Sequence, residues 1–272
     1  MGGDDLDSDD EFLNPSVQDT AEDRLRERIE REEVIVAKKR KRDDDEEDDE
    51  DDEDDKADET PSKKSSMKVL IEAGRDLEKQ PTDVQAAFLT MSLKHYVQMK
   101  GESIEGLMNI HPSAFVTSKE CSLEARLRSV VTKKKLKGWK PIGSPMVVVV
   151  CISARRAVAV LKELSGLKIR CGKFFAKHLS IEAQKEMLRN QSFAIVVGTP
   201  NRLKALCEPE QRGGKAPMYL GKTNLVVLDT HANQKGYTVC TLPDTAPDTF
   251  DLIKEKVLPE MKARKDLKLA FL

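Results

Sequence analysis

The run Met146–Ile152, "MVVVVCI", constrains the fold of this chain more than any other stretch. Its residues are uniformly apolar and mostly β-branched, with no polar face to offer solvent. Such a run predicts a strand covered on both sides. Similar runs recur at 193–197 ("FAIVV"), 224–228 ("NLVVL") and 267–272 ("LKLAFL"). Between them the apolar spacing changes to a helical period. "ARRAVAVLKEL" fills 154–164, Ser180 opens "IEAQKEMLRNQ", Thr199-Pro200 opens "NRLKALC", and a further helix spans roughly Thr249–Lys262. Short strands are also predicted within Leu167–Phe175 and at 237–241, "YTVCT". This alternation implies an α/β fold: a doubly wound, largely parallel sheet with helices on both faces. Residues 141–272 are long enough to form one such lobe.

Upstream of the lobe, residues 67–140 read as a linker and a helical extension. Residues 67–81 are linker-like. Residues 82–110 are predicted helical, since Val84, Phe88, Met91, Leu93 and Tyr96 fall near a helical period. A second helix is predicted over Ser122–Val131, with Ser122 as its N-cap. It runs into "TKKKLKGWK", where Lys133, Lys134 and Lys135 lie close to Trp139. Two roles are open to that stretch. The lysines hold phosphates while Trp139 stacks a base, or this is a basic loop whose tryptophan caps a packing surface.

The net charge of −2 conceals a segregation of sign. Residues 1–66 carry 28 acidic and 12 basic side chains, and residues 67–272 carry 20 acidic and 34 basic. A basic body favours an anionic partner, most simply a nucleic acid. The front segment is too charged to bury a core and is predicted to be disordered. Within it, Ala21–Val36 has the alternating charges of a solvated helix. Lys38, Lys39, Arg40, Lys41 and Arg42 form a run that fits a nuclear import signal, and thirteen consecutive acids follow at Asp43–Asp55. That acidic tract suits basic proteins, competition with RNA for the basic body, or solubility alone. The five cysteines are widely spaced with no C-x-x-C pair, so neither a metal site nor a disulfide framework is expected. The acidic start argues against a secretory leader, and no apolar run is long enough to span a bilayer.

In doubly wound sheets ligands bind beyond the carboxyl ends of the strands. Two strand-to-helix turns there share a basic character: Ile152-Ser153-Ala154-Arg155-Arg156 and Gly198-Thr199-Pro200-Asn201-Arg202. Thr199 suits an N-cap and Pro200 the first helical position. The free amides and dipole of a helix start favour an anion. Arg155, Arg156, Thr199, Asn201, Arg202 and Lys177 are therefore candidate RNA contacts.

These residues also carry a resemblance. "AQKEMLRNQSFAIVVGTPNRLKAL", "VVVVCISARRAVAVL" and "LVVLDTH" resemble, in order and spacing, the first lobe of DEAD-box RNA helicases, over about 130 residues. More narrowly, "KFFAKHLSIEAQ", "GSP" and "GTPNR" are similar to the Cms family. That resemblance implies a nuclear and nucleolar protein with a single RecA-like lobe, associated with early small-subunit pre-ribosomes, with pre-ribosomal RNA and assembly proteins as partners.

The helicase resemblance stops short of the ATPase chemistry. No G-x-x-x-x-G-K-[ST] loop lies upstream of the first strand. Gly221-Lys222-Thr223 precedes a strand instead of opening a helix. In the D-E-A-D motif the first aspartate holds magnesium and the glutamate orients water; here only Asp229 remains, followed by Thr230, His231 and Ala232. "QPTDVQ" at 80–85 superficially resembles the adenine-reading motif and is discounted as a chance match. A second lobe does not follow within the 272 residues. The expectation is therefore a non-catalytic ribosome-biogenesis factor with no cofactor, no metal, no small-molecule substrate and no membrane partner. A degenerate RNA-dependent ATPase and an acidic chaperone of basic nuclear proteins are the alternatives.

Overall fold

The computed structural model describes residues 20–31, 68–105, 107, 109–117, 123–176, 179–210 and 214–272. Five strands form one sheet: β1 (Val147–Val150), β2 (Cys171–Phe174), β3 (Ile195–Gly198), β4 (Leu225–Leu228) and β5 (Lys268–Phe271). All are parallel, in the order β2-β3-β1-β4-β5. β1 sits at the centre, and each of its four valines is buried. Fully burying a valine stabilises by roughly 2 kcal/mol, which is why the most apolar run takes the central place.

Alternate residues of the strands feed two cores, as the period of a strand requires. Val147, Val149, Ile195, Val197, Leu225 and Val227 face α4 (Leu123–Val130), α5 (Lys133–Lys137) and α6 (Ala154–Glu163). Val148, Val150, Val196, Val226 and Leu228 face the other way. That face is covered by α3 (Thr82–Met99), α7 (Ile181–Asn190), α8 (Pro200–Leu206) and the helical run from α9 (Ala246–Leu252) to α10 (Leu258–Ala263). The expected α/β architecture, consistent with a RecA-like fold, is thus present with helices on both faces. Ser153 and Ser180 cap α6 and α7 by accepting the Arg156 and Ala183 N–H bonds, both at 3.2 Å. Between α9 and α10 the ladder widens into a π turn over Ile253–Val257. Pro259 follows directly and has no N–H to give to a preceding carbonyl.

The stretch ahead of the lobe is not a spacer hung off the sheet. Phe115 bridges Leu269 on the outer edge of β5, and the Val116 N–H donates to the Leu269 carbonyl at 2.8 Å. Phe271 stacks on Phe115 at 5.5 Å and meets the edge of Phe88 at 6.1 Å. At the other end of α3, Asp251 of α9 accepts from the Tyr96 hydroxyl (3.0 Å), Lys100 (2.7 Å) and Lys204 of α8 (2.5 Å). One buried carboxylate therefore ties α3 to the lobe.

Several expectations need correction. Residues 67–81 are not simply linker: 68–73 are helical (α2), Leu77–Lys79 form a 3-10 turn, and Val69, Leu70 and Leu77 are buried. The helix predicted over 82–110 stops at Met99. The Gly101 and Glu102 amides turn back onto the Gln98 and Val97 carbonyls, and the described residues from there to Ile110 carry no helix. The strand predicted at 237–241 is a turn. Its threonines satisfy backbone groups locally: the Thr238 N–H donates to the Thr241 hydroxyl at 2.8 Å and the Thr241 N–H to the Thr238 carbonyl at 3.1 Å. The solvated helix predicted at Ala21–Val36 is helical over 21–31 (α1), but it docks. Leu25 packs with Val69 and Leu70, and Glu22 pairs with Lys94 at 2.8 Å. The acidic tract and Lys38–Arg42 lie outside the described residues.

Candidate functional site

β1 leaves the sheet toward one face and β4 toward the other, so their carboxyl ends flank the crevice where doubly wound sheets bind ligands. Here an ion pair takes up the carboxylate at the end of β4, and an open cavity of about 450 Å³ lined by Glu78, Arg156, Thr230 and His231 lies beside it. Asp229, at the end of β4, has no solvent exposure. Arg156, in the first turn of α6, donates from Nε to Oδ2 at 2.9 Å and from Nη2 to Oδ1 at 3.0 Å. Its third nitrogen, Nη1, reaches Glu163 at 3.0 Å. Burial pushes the Asp229 carboxyl above its ordinary range, and the Arg156 guanidinium and the His231 backbone N–H hold part of that rise back. Burial also opposes the charge on Arg156, but the Asp229 carboxylate outweighs it and keeps the guanidinium protonated. A buried carboxylate needs a cation, and arginine supplies one that is covalently part of the chain.

The Arg156 guanidinium is thus committed to Asp229 and Glu163. Thr230 also turns inward, its hydroxyl 2.7 Å from the Leu272 carbonyl and 3.0 Å from the Glu78 carboxylate. Gln85, the last residue of "QPTDVQ", is buried and donates to the Leu77 and Gln80 carbonyls at 3.0 Å each, so it holds the 3-10 turn together. Gly221-Lys222-Thr223 lies at the amino end of β4, the opposite end of the strand from Asp229. There the Lys222 N–H donates to the Ser144 hydroxyl (3.0 Å) and the Thr223 hydroxyl to the Pro145 carbonyl (2.7 Å).

The two basic turns do share one end of the sheet. β1 and β3 are neighbours, and the Cys151 N–H donates to the Gly198 carbonyl at 2.8 Å just before the chain enters α6 and α8. Arg155 is exposed, Arg202 half-buried, and neither has a carboxylate partner among the described residues. One nitrogen of Arg202, Nη1, is buried without an acceptor. Asn201 is exposed beside it. Thr199 ends β3 and begins α8, but its side chain makes no cap bond. Alongside Arg155 runs an open groove of about 580 Å³, bordered by Ser153, His231, Asn233 and Lys235. Lys235, in the lysine-bearing segment after Asp229, was not among the predicted contacts; the return of the chain after β4 brings it to α6.

Other candidates lie elsewhere. Lys133, Lys134 and Lys135 form α5, which leads into the amino end of β1, so they are at the far end of the sheet from Arg155. Trp139 follows the packing alternative: its indole N–H donates to the Ser144 carbonyl at 2.9 Å and its ring packs against the α4–α6 core. Lys177 lies outside the described residues. No cysteine is poised as a nucleophile among those described. Burial pushes the Cys207 and Cys240 thiols to about 12 and Cys171 to about 11, and Cys151 higher still.

Residues 124–272 match the model of the CMS1 family, described as "U3-containing 90S pre-ribosomal complex subunit". The match spans more than half of the chain. The chain belongs to the CMS1 family. Among its relatives, Protein CMSS1 of Homo sapiens is 26% identical over 163 residues, covering 57% of this chain and 56% of that protein. Protein CMSS1 of Xenopus laevis is 26% identical over 190 residues, covering 67% and 65%. The Danio rerio protein of that name is 28% identical over 158 residues, covering 56% and 52%. The match thus spans between about half and two thirds of these relatives' own length. The CMS1 match begins within α4 and takes in the whole sheet, including Arg156, Asp229 and both basic turns.

Proposed function

We propose that this CMS1-family protein is a non-catalytic assembly factor of the early small-subunit pre-ribosome, and that its lobe holds RNA through phosphate contacts. One observation carries the reading. At the crevice between β1 and β4 the Asp229 carboxylate is taken up by Arg156, while Arg155 and Arg202, on the turns after β1 and β3, have no carboxylate partner among the described residues. A site for phosphoryl transfer needs a metal-holding carboxylate and a positioned base; here the carboxylate is bound to arginine and followed by Thr230. Unpaired cations on two neighbouring turns at one end of the sheet suit a ligand that lies across the sheet edge, as an RNA backbone does.

In this reading the lobe, 141–272, descends from a DEAD-box-like lobe that kept its RNA side. Residues 67–140 brace it, and residues 1–66 form a charged arm whose Lys38–Arg42 run directs the chain to the nucleus and nucleolus. Assembly proteins and pre-ribosomal RNA are the partners. The test is binding of the full chain to labelled RNA across a salt series. Arg155→Glu combined with Arg202→Glu is expected to weaken binding and to flatten the salt dependence. The slope should fall by about 0.9 for each phosphate no longer neutralised on a duplex, or about 0.7 on a single strand. Unchanged binding by the double variant refutes this phosphate track.

A further inference from the structure

Because all five strands run parallel, every loop that enters a strand lies at the same end of the sheet. This is the amino end, opposite Arg155 and Arg202. Its charge is lopsided. Glu208, Glu210, Glu260 and Asp266 sit there, and each has a basic partner: Lys256, Arg189, and Arg264 for the last two. Lys134, Lys135 and Lys137 of α5, Lys140 before β1, Lys222 before β4 and Lys265 before β5 are all exposed, and none has a carboxylate partner among the described residues. Adjacent strands are about 4.8 Å apart, so the entries to β1, β4 and β5 lie within about 10 Å of one another.

Among them lies an aromatic ring with an open face. Tyr219 is 43% exposed, in the segment that leads to β4. Its N–H donates to the Gly143 carbonyl at 2.9 Å, which fixes it to the loop that enters β1. Its ring lies over two glycines. A Cβ at Gly143 would come 3.4 Å from Tyr219 Cε1, and a Cβ at Gly221 would come 3.3 Å from Cδ2. With no side chain at either position, the ring packs against the backbone of two loops while the residue stays 43% exposed. Ile142, 51% exposed, precedes Gly143 in the same loop. Lys140 and Lys222 are the near neighbours in sequence on the two loops that hold the ring.

We propose that Tyr219 is a base-stacking platform for single-stranded RNA, with Lys140 and Lys222 on the flanking phosphates and the α5 lysines extending the basic surface. The inference rests on the RNA-binding reading above and adds a second face to it. An exposed ring on two loops that also carry exposed lysines meets both needs of an unpaired nucleotide: a surface for the base and charge for the phosphates. An acidic peptide would use the lysines but gain little from the open ring face.

The experiment uses the full chain and a short fluorescent single-stranded oligoadenylate. Tyr219→Ala is expected to weaken binding about tenfold with little change in salt dependence. Tyr219→Phe, which keeps the ring, is expected to bind as the parent does. Lys140→Glu with Lys222→Glu is expected to flatten the salt dependence by about 1.4, the share of two single-strand phosphates. A parent that binds while Tyr219→Ala binds equally well overturns the platform and leaves the RNA reading standing. A parent that binds no RNA overturns both. Loss of binding in the lysine variant alone, with Tyr219→Ala unaffected, also overturns the platform, because charge without stacking suffices for any polyanion.

Discussion

Arg156 and Asp229 face each other through two parallel hydrogen bonds, Nε to Oδ2 and Nη2 to Oδ1, across a separation of 73 residues in sequence. The pair joins the start of α6 to the end of β4 at the centre of the sheet, with the Asp229 side chain fully enclosed. A buried ion pair adds little net stability as a whole, but removing one partner strands a charge in a poor solvent.

Arg156→Ala is therefore expected to destabilise the fold by about 3–5 kcal/mol at neutral pH. Replacing both members with leucine is expected to recover much of the loss. The pH dependence has a definite sign. Burial already raises the Asp229 pKa, and without Arg156 it rises further. A carboxyl whose folded pKa exceeds its unfolded one keeps its stability below the unfolded value and loses it as pH rises through the folded value. The deficit of Arg156→Ala should thus be smallest in mild acid and grow toward neutrality. Urea unfolding at a series of pH values measures it; a deficit that does not change with pH contradicts the pairing.

Asp251 behaves in the opposite sense. Burial raises its carboxyl, but the bonds from Lys100, Lys204 and Tyr96 more than reverse this and leave it below the ordinary value. The same contacts raise Lys100, chiefly through its bond to Asp251. A lowered carboxyl contributes stability above the unfolded pKa and loses it as pH falls through the folded one. Asp251→Asn is expected to cost about 3 kcal/mol near neutrality, since two lysines lose their shared acceptor. It should also remove part of the acid-induced loss seen in the parent below about pH 4. Thermal melts of both chains from neutral to acid pH check this.

The strands were legible because an apolar β-branched run buried on both faces has few other solutions, and Val147–Val150 took the centre as such a run must. Tyr237–Thr241 looked similar in composition, yet its hydroxyls bond within the turn, and the Thr245 and Thr249 side chains claim the Val239 carbonyl at 3.2 Å each. Propensity does not reveal that local competition. The end of the sheet that carries Arg155 and Arg202 was readable from strand-to-helix turns. The partner of Arg156 was not, because spacing within a motif says nothing of a residue 73 positions away. One signal was present: an arginine in the turn after β1, in a chain whose lone Asp229 had lost its acidic companions. Tyr219 carried no signal, since its seat is made by Gly143 and Gly221 on two separate loops.

Helix α1 is held by a small cluster, Leu25 with Val69 and Leu70, bordered by the Glu22–Lys94 pair. Its release should be local. Leu25→Lys is expected to strip amide-exchange protection from residues 21–31 and leave the β1 and β3 amides protected as in the parent. The fall in the free energy of closing this segment should be about 2–3 kcal/mol, the scale of one leucine side chain withdrawn from an apolar cluster. Hydrogen exchange read by mass spectrometry resolves the two regions. Equal deprotection of α1 and of the sheet would mean that α1 is an integral part of the main core.

The seat of Tyr219 makes a last, separable prediction. Gly143 has φ +71°, and a Cβ there would come within 2.8 Å of the Pro217 carbonyl oxygen. The left-handed backbone alone costs an L-residue about 1–2 kcal/mol, and the clash adds to it. Gly143→Ala is expected to lower the unfolding free energy by about 2–3 kcal/mol. Tyr219→Ala removes a ring that is 43% exposed, so its cost should stay at about 1 kcal/mol. Urea midpoints of the two variants separate the seat from the ring. If Tyr219→Ala destabilises as much as Gly143→Ala, the ring is a packing element of the loop, and its open face follows from where the loop places it.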